Sequence, residues 1–420
     1  MNILQVASLL IVLAAAFGSI NYFFLRLPSS IGILLVALVT SLVMLLIDSL
    51  VPSFALADQL KNLVLGIDFS DALLEGMLGL LLFAGALHVK VSDLRAQWAV
   101  VLLMATLGVA ISTAIVGFGF SWLTGMPLLV ALVFGALISP TDPVAVLGVL
   151  RAANLRKSLE TVIAGESLFN DGVGYVVYLI LVGLAFGAAG GHGVTEGSSE
   201  TAAALQLFLR EAVGGGLLGL VLGYLTFRLM RRIDDPSLEV MITLALAFGG
   251  YELAVMLGVS APIMAVCAGL LIGDIGARHG MSEQTREYVD TFWHLIDEIL
   301  NAVLFLLIGL EVFAVTMDTN LFLAAALAIG LSLVARFGAV AIPILFLKVF
   351  RDFGPGTIQI MTWGGLKGGI SVALALSLPD SEWKNMILLA TYCVVIFSIL
   401  IQGLTVGKLA GKVGRTPTLM

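Results

Sequence analysis

The chain has 420 residues, of which 60% are hydrophobic and 12% are charged, and its formal net charge is −7. Soluble domains carry about 25% charged residues. This composition, with a mean hydropathy of +1.10, therefore predicts a membrane protein with many spans and excludes an ordinary soluble domain. The two cysteines, Cys267 and Cys393, lie in apolar runs without the spacing of a metal site. We interpret them as small buried hydrophobic residues.

Apolar runs long enough to span a bilayer follow one another along the chain and predict an all-α polytopic protein with a single membrane domain. The first run lacks a basic leader and a cleavage site, so we predict that it is a retained span. The stretch 51–68 has a mixed composition and predicts an interfacial loop or helix. We predict about thirteen transmembrane helices, over residues 3–25, 30–48, 70–89, 97–122, 126–150, 158–186, 203–230, 237–257, 260–274, 287–313, 320–349, 356–379 and 383–407.

The basic residues predict how the chain is oriented in the membrane. Alternate loops, such as those with Arg26, Lys90 and Lys348, are rich in lysine and arginine, whereas the loops between them have only Lys61 and Lys384 as basic residues. Cytoplasmic loops carry the excess of basic residues, so we expect the N-terminus outside and the C-terminus inside. We expect a multi-pass protein of a bacterial cytoplasmic (inner) membrane, while an organellar membrane stays open.

Two predicted helices contain residues that interrupt a regular helix. The fifth contains Pro140 and Pro143, and two prolines three residues apart do not both fit a helix interior. The twelfth contains four glycines within the segment 363–369, which loosen the helix. Irregular backbone at membrane depth is tolerated only where protein or a water-filled cavity covers it.

The fifth and twelfth helices enter the membrane from opposite sides in the predicted topology. This predicts inverted repeats over about 1–190 and 237–410, joined by a linker helix over about 203–230. Paired interrupted helices in two halves of a chain indicate the binding site of a transporter. In the linker helix, Gly215 and Gly219 belong to a four-residue repeat of glycine that predicts a close-packing face.

The sixth predicted helix carries polar residues near its middle. An ionised group at that depth costs roughly 2.5–3.5 kcal/mol on insertion scales, so it is expected to face a cavity, a partner or an ion path. Ser167 and Asp171 share one helix face, and Glu166 and Asn170 share the adjoining face. We interpret Asp171 as a carboxylate for which a cation and a proton compete, with a structural hydrogen-bonding aspartate as the alternative. Asn170 would fix the geometry of the site through its amide.

Thr141 and Asp142 lie at the interruption of the fifth helix. A hydroxyl, a carboxylate and freed backbone carbonyls are oxygen ligands, which suit a hard monovalent cation. We expect both residues to take part in the ion site, although Asp142 could instead cap the N-terminal end of a half-helix. Ser167 could add a further oxygen ligand.

Other charged residues within apolar runs need partners. We predict that Glu166 and Arg336 form a structural ion pair that anchors the fold around the site, although a buried pair is not automatically stabilising. Lys367 is the cation of the twelfth helix and is expected to compensate the dipoles of the half-helix ends where the interruptions cross. The alternative for Lys367 is that its side chain extends to the membrane surface.

The tenth predicted helix carries Asp297, Glu298 and Asn301 in its earlier part. These residues either line a cytoplasmic funnel that attracts cations or form an ordinary polar helix end. The sequence has no Walker motif, no GxGxxG and no Cys/His cluster, so we expect no cofactor, no nucleotide and no nucleic-acid partner. No nucleophile–base pair is evident, and we expect a protein that is not an enzyme.

The segment 165–171, with Thr141-Asp142-Pro143 upstream and the glycine-rich segment 364–369 downstream, resembles the sodium/proton antiporters of the NhaP and NHE class. The run 335–338 is similar to the buried arginine helix of that family. The resemblance covers nearly the whole chain. It implies an NhaA-like inverted-repeat fold with thirteen helices, two of them interrupted and crossing, and a homodimer in membrane lipid.

The resemblance also implies roles for individual residues. Asp171 would carry the ion and the proton, aided by Thr141, Ser167 and backbone atoms at the interruptions, so that Na⁺ is held by these groups. Glu166 and Arg336 would form a salt bridge.

Three further positions either place the chain within the family or depart from it. Asn170 before Asp171, in place of a second aspartate, is typical of the electroneutral branch, which exchanges one cation per proton. Ala84 stands where many relatives carry a carboxylate, and Lys367 stands where many carry arginine.

The function that we predict is secondary antiport of Na⁺ (or Li⁺) against H⁺ by competition at Asp171 with alternating access. One alternative keeps the fold and exchanges K⁺ for H⁺, because selectivity depends on cavity size and ligand number. A second alternative is a gated cation channel of the same fold, against which the absence of a repeated filter loop of carbonyls argues.

Overall fold

The computed structural model of the protein describes residues 3–50, 72–142, 150, 155–187, 200–277, 280–313, 321–349, 351 and 353–413. Every regular element within these ranges is helical. The stretch 51–68, for which we predict an interfacial loop or helix, lies outside the described residues, and so does Pro143 of the fifth predicted helix.

Fourteen helical segments are labelled here in chain order within the described ranges. The first seven are α1 Ile3–Ile20, α2 Ser29–Leu50, α3 Leu78–Leu87, α4 Val91–Thr124, α5 Leu128–Ile138, α6 Lys157–Phe186 and α7 Glu200–Met230. The others are α8 Pro236–Leu257, α9 Ala261–Gly276, α10 Glu283–Leu310, α11 Phe322–Leu347, α12 Thr357–Trp363, α13 Gly369–Leu376 and α14 Lys384–Val413.

Eight of the described helices are long and apolar enough to cross a membrane: α1 with its π-helical extension to Leu25, α2, α4, α6, α7, α8, α11 and α14. Three shorter apolar helices, α3, α5 and α9, also belong to the described ranges. The protein is therefore an integral membrane protein with many helices. The count of thirteen spans and the inverted repeat stay predictions.

Local sequence signals explain where several helices begin and end. Asp235 caps α8 by accepting hydrogen bonds from two backbone amides of the first turn, and Ser260 caps α9 by accepting one, from the amide of Ile263. Gly125 and Gly258 end α4 and α8 in the left-handed conformation, which glycine adopts without steric cost. These boundaries agree with the predicted runs to within a few residues.

Glycines let one group of helices approach closely. A side chain at Gly215 or Gly219 of α7 would collide with the backbone at Ser260 or Met264, at the start of α9. On the opposite side of α9, a side chain at Gly269 would lie 2.7 Å from the carbonyl oxygen of Phe83 in α3. The glycine repeat of the linker helix thus forms the close-packing face that the sequence predicts, and α9 is held between α7 and α3.

A second group of helices surrounds the two interrupted segments. Helices α4, α5, α6, α11 and α14 pack against one another, with α13 between α5 and α14. Helix α10 contacts α2 and α3 and also reaches α13, so it lies between the two groups. Large apolar side chains such as Phe120, Phe134 and Phe305 are fully buried in this core.

Both predicted interruptions are present. Helix α5 ends at Ile138, and residues 140–142 have no regular structure, because Pro140 lacks the amide hydrogen that a continuing helix needs. Residues 364–368 separate α12 from α13. The two irregular segments meet inside the second group of helices, where protein rather than lipid covers their backbone.

Candidate functional site

The two irregular segments cross in direct contact at the centre of the site. The backbone amide of Asp142 donates a hydrogen bond of 2.8 Å to the carbonyl oxygen of Leu366. Gly368 lies so close to Asp142 that an added Cβ would be 2.7 Å from the carboxylate oxygen Oδ2. The crossing therefore depends on glycine at this position, because any larger residue would displace the Asp142 side chain.

Lys367 is buried at the crossing, with 3% of its surface exposed. Its ammonium group donates to the carbonyl oxygens of Ser139, at 2.9 Å, and Pro140, at 3.2 Å. Its own backbone amide donates to the hydroxyl of Ser398 at 2.8 Å. The carbonyls that end a helix lack partners within it and carry a partial negative charge, so Lys367 lies where the end of α5 needs a cation.

Three polar side chains link the interruption to α6. The amide nitrogen of Asn170 donates to the hydroxyl oxygen of Thr141 at 2.9 Å, and the amide oxygen of Asn170 accepts from the backbone amide of Thr141 at 3.2 Å. The hydroxyls of Thr141 and Ser167 lie 3.0 Å apart. All three residues are buried. The network fixes the unwound segment against the middle of α6.

Asp171 lies one turn after Ser167 on the same helix and is 8% exposed. Within the described part of the chain, no donor makes a hydrogen bond to its carboxylate, and the charged groups that act on it are Asp142 and Lys367. A buried carboxylate is normally satisfied by hydrogen bonds or an ion pair. Asp171 is therefore available to an external cation or proton.

Glu166 and Arg336 form a buried bidentate ion pair between α6 and α11. One guanidinium nitrogen contacts Oε1 of Glu166, and the other donates to Oε2 at 2.9 Å. The third nitrogen, Nε, donates to the carbonyl oxygen of Met361 at 3.2 Å. A side chain at Gly365 would collide with this guanidinium group. Arg336 thus ties α6, α11 and α12 together.

A cavity of about 1680 Å³ leads to Asp171 from one face of the protein. Its walls come from α1, α3, α6 and α10 and from the crossing itself. Lys90 and Lys157 stand at its mouth, and Asp171 is the deepest of the α6 residues that line it. The cavity gives ions and water a route from the basic face of the protein to the Asp171 carboxylate.

Acidic and amide side chains of α10 line the same cavity. Asp297, Glu298 and Asn301 all belong to its wall, and the Asn301 amide donates to the carboxylate of Asp297 at 3.0 Å. The sequence left open a funnel or an ordinary helix end for these residues. Their place in the wall agrees with the funnel, where negative charge raises the local concentration of cations.

The structure brings all of the predicted site residues to the crossing or to the helices that support it. It also adds groups that the sequence did not single out: the carbonyl oxygens of Ser139, Pro140 and Leu366, and the hydroxyl of Ser398. The prolines indicated that carbonyls would be freed near residue 140. Nothing in the pattern around Ser398 indicated a role.

The donor set fits a weakly held hard cation better than a resident metal. Among the described residues, no group of three or more His, Cys, Asp and Glu side chains is arranged to hold a metal ion. The oxygens around the crossing come from the Asp142 carboxylate, the hydroxyls of Thr141 and Ser167 and the backbone carbonyls of the interruption, which are ligands that hard cations accept.

Comparisons with known proteins agree with one another. The family model described as sodium/hydrogen exchanger, transmembrane, matches residues 8–412. The chain is 47% identical to the Na⁺/H⁺ antiporter NhaP of Pseudomonas aeruginosa, over 98% of this chain and 97% of that protein. It is 35% identical to the Na⁺/H⁺ antiporter NhaH of Halobacillus dabanensis, over 93% of each chain.

A solved structure shows a similar fold. The sodium proton antiporter MjNhaP1 of Methanocaldococcus jannaschii, determined at pH 8, superposes with a TM-score of 0.75. The match covers 99% of this chain and 100% of that chain, at 19% sequence identity.

Proposed function

Because the chain belongs to the sodium/hydrogen exchanger family, we propose that it is a secondary antiporter that exchanges Na⁺ (or Li⁺) for H⁺ across a membrane in an electroneutral 1:1 ratio. The family match over residues 8–412 supports antiport. The relatives at 47% and 35% identity, both Na⁺/H⁺ antiporters by name, support the choice of ions. The family consists of transporters, which fits the expectation that the protein is not an enzyme.

The observation that carries the mechanism is the isolation of the Asp171 carboxylate at the inner end of the cavity. It is buried and has no hydrogen-bond donor among the described residues. A cation that reaches it finds a negative charge with unused lone pairs, and a proton finds the same group. Since one carboxylate cannot hold both at full strength, binding of one ion releases the other.

Neighbouring oxygens complete a site for a small cation. The hydroxyls of Thr141 and Ser167 lie 3.0 Å apart, Ser167 is one turn before Asp171 on α6, and the amide of Asn170 holds Thr141 in place. Asp142 contributes negative charge from the crossing. In this proposal Thr141 and Ser167 bind the ion through their oxygens, while Asn170 positions them.

The 1:1 ratio follows from the number of carboxylates that exchange a proton. Asn170 is neutral, so α6 presents Asp171 alone at this depth, while Glu166 is occupied by Arg336. The ammonium group of Lys367 donates to the carbonyls of Ser139 and Pro140, and in this proposal it does not take part in the exchange. Exchange of one cation for one proton at Asp171 moves no net charge.

Alternating access requires the site to close on one side and open on the other. In this structure Asp171 is reached from the face that carries Lys90 and Lys157. Beyond Asp171 along α6, the hydroxyl of Tyr178 donates to the carbonyl oxygen of Leu374 at 2.8 Å and packs against α13. We take the basic face to be cytoplasmic, which makes this an inward-facing state. The homodimer and the cytoplasmic (inner) membrane remain part of the proposal.

Reconstituted protein tests the proposal. Proton efflux from acid-loaded proteoliposomes is measured on addition of Na⁺, Li⁺ or K⁺, with the membrane potential clamped and then free. We expect Na⁺- and Li⁺-dependent efflux that ignores the potential. Asp171→Asn should reduce efflux to background, whereas Glu382→Gln, at an exposed carboxylate outside the cavity, should retain it. Full exchange by Asp171→Asn would refute the mechanism, and cation flux without proton movement would refute antiport.

Competition at one group also predicts the pH dependence. Protons compete with Na⁺ for Asp171, so each unit of falling pH on the acidic side of the activity profile should raise the apparent KM for Na⁺ by about tenfold. The maximal rate at saturating Na⁺ should stay nearly constant over the same range. A KM for Na⁺ that is independent of pH would show that proton and cation occupy separate sites.

A further inference from the structure

A second cavity, of about 910 Å³, lies outside the ion pathway between α11, α12 and α14. It opens on the same face as the ion cavity, because Arg351, just after α11, donates a hydrogen bond of 3.0 Å to Gln97 near the start of α4. None of the residues of the ion site lines it. The proposed antiport leaves this groove without a role.

Three lysines surround the opening of the groove. Lys348 follows the end of α11, and Lys408 and Lys412 lie one turn apart near the end of α14. All three side chains are exposed, and none forms an ion pair with a residue of the described ranges. Three unpaired positive charges in one place attract an anion.

The walls below the lysines are apolar and exposed. Phe337 and Leu345 of α11 are 55% and 57% exposed, and Ile358 and Leu409 add further apolar surface to the lining. The innermost part is fixed by the indole nitrogen of Trp363, which donates to the hydroxyl of Thr405 at 2.8 Å. The groove therefore has a cationic opening and a largely apolar interior, and residues 353–356, between α11 and α12, form part of its wall.

The depth of the groove matches half a bilayer. Eleven residues separate Phe337 from Lys348 on α11, and a helix rises 1.5 Å per residue, so the lining extends roughly 16 Å inward from the lysines. The hydrocarbon core of a bilayer is about 30 Å thick, which makes one leaflet about 15 Å. An occupant with a negative headgroup and a tail one leaflet long would satisfy both parts of the groove.

We propose that this groove is a binding site for an anionic phospholipid of the leaflet on the basic face. The phosphate lies among Lys348, Lys408 and Lys412, and an acyl chain lies along Phe337 and Leu345. Basic pockets between membrane helices on this side suit such headgroups. One wall of the groove is α12, whose Met361 carbonyl accepts the hydrogen bond from Arg336. Bound lipid therefore stabilises the helix that supports the ion site.

Lipid binding to the purified, delipidated full chain tests this inference independently of transport. Phosphatidylglycerol and phosphatidylcholine with identical acyl chains are titrated, and bound lipid is counted by native mass spectrometry. The wild type should prefer phosphatidylglycerol and show a higher unfolding temperature with it. The triple variant Lys348→Gln, Lys408→Gln, Lys412→Gln should bind it about 100-fold more weakly, because each basic residue contributes separately to attraction. The corresponding triple arginine variant should keep the preference.

Matched controls separate a site from general surface charge. A variant with Arg228, Arg231 and Arg232 changed to glutamine removes the same charge from the end of α7 and should keep the lipid preference. An equal loss in both triple variants would overturn the proposal. So would full competition by glycerol phosphate, which would identify a free phosphate site. If the triple lysine variant lost a dimer but bound lipid as the wild type does, the groove would be an interface between two copies of the chain, and the lipid proposal would be overturned.

Discussion

At the scale of single residues, the described buried charges around the crossing divide into those with partners and one without. Arg336 and Glu166 satisfy each other, and Lys367 is satisfied by two backbone carbonyls. Asp171 has no hydrogen-bond donor among the described residues. Partnered charges have a structural explanation, because desolvation is offset by the contacts that they make. No such structural explanation applies to Asp171, and the proposed exchange is therefore centred on it.

The ion pair of Glu166 and Arg336 leads to a stability prediction. Arg336→Met would leave the Glu166 carboxylate buried without a partner and should lower the free energy of unfolding by about 3–5 kcal/mol. Thermal unfolding in detergent, followed by tryptophan fluorescence, measures the change. The double variant Arg336→Met, Glu166→Gln removes the stranded charge and should recover part of the loss. An unchanged unfolding temperature in Arg336→Met would show that the pair does not hold the fold.

At the scale of elements, the site depends on where helices stop. Helix α5 ends at Ile138, and α12 is separated from α13. The backbone amides and carbonyls at these ends therefore lack hydrogen-bond partners within a helix and face one another. The amide of Asp142 and the carbonyl of Leu366 use two of these groups to join the segments. The carbonyl oxygens of Ser139 and Pro140 accept hydrogen bonds from the ammonium group of Lys367. The interruptions are thus stabilised by each other.

Glycine at the crossing gives a prediction for this scale. Gly368→Ala would place a methyl group 2.7 Å from the Asp142 carboxylate oxygen, so the two segments must separate. We expect exchange activity in proteoliposomes to fall at least tenfold while the protein still folds, because the strain of overpacking is about 1–3 kcal/mol. Gly183→Ala in α6 is the matched control, since nothing lies within 4 Å of the added methyl group. Equal activity of the two variants would contradict a tight crossing.

At the scale of the whole molecule, the two groups of helices leave a cavity between them that reaches Asp171 from one face. Helix α10 lies between the groups and places acidic side chains in the wall of this cavity. The cavity reaches the site from the basic face, and in the proposed exchange this arrangement corresponds to one of two access states. A motion that moves the crossing relative to α10 would close this route.

Cysteine labelling tests the direction of access. Ala302 of α10 lines the cavity, so Ala302→Cys, in a chain with Cys267 and Cys393 changed to alanine, should react with a membrane-impermeant thiol reagent. We expect labelling from the face of Lys90 at a rate at least tenfold higher than for Ala375→Cys, which is fully buried in α13. Labelling of Ala302→Cys from the opposite face alone would contradict the assigned entrance.

Much of the fold could be predicted from local sequence. Apolar runs predicted where most of the described helices lie, because lipid and protein interior both select apolar side chains over a length set by the bilayer. Pro140 and the glycines of 363–369 predicted both interruptions, since these residues act on their own backbone. The polar residues of α6 pointed to the candidate site, because charge at membrane depth is too costly to be incidental.

What the sequence determined by itself was therefore the membrane class, the approximate helices, the interruptions and the residue types of the site. Only the tertiary structure decided which groups meet: Lys367 with the carbonyls of Ser139 and Pro140, Asp142 with Leu366, and the groove of Lys348, Lys408 and Lys412 beside α12. The physical reason is the distance along the chain over which each effect acts. Propensity and hydrophobicity act within a few residues, whereas these contacts join residues far apart in the chain, and their existence depends on how whole helices pack.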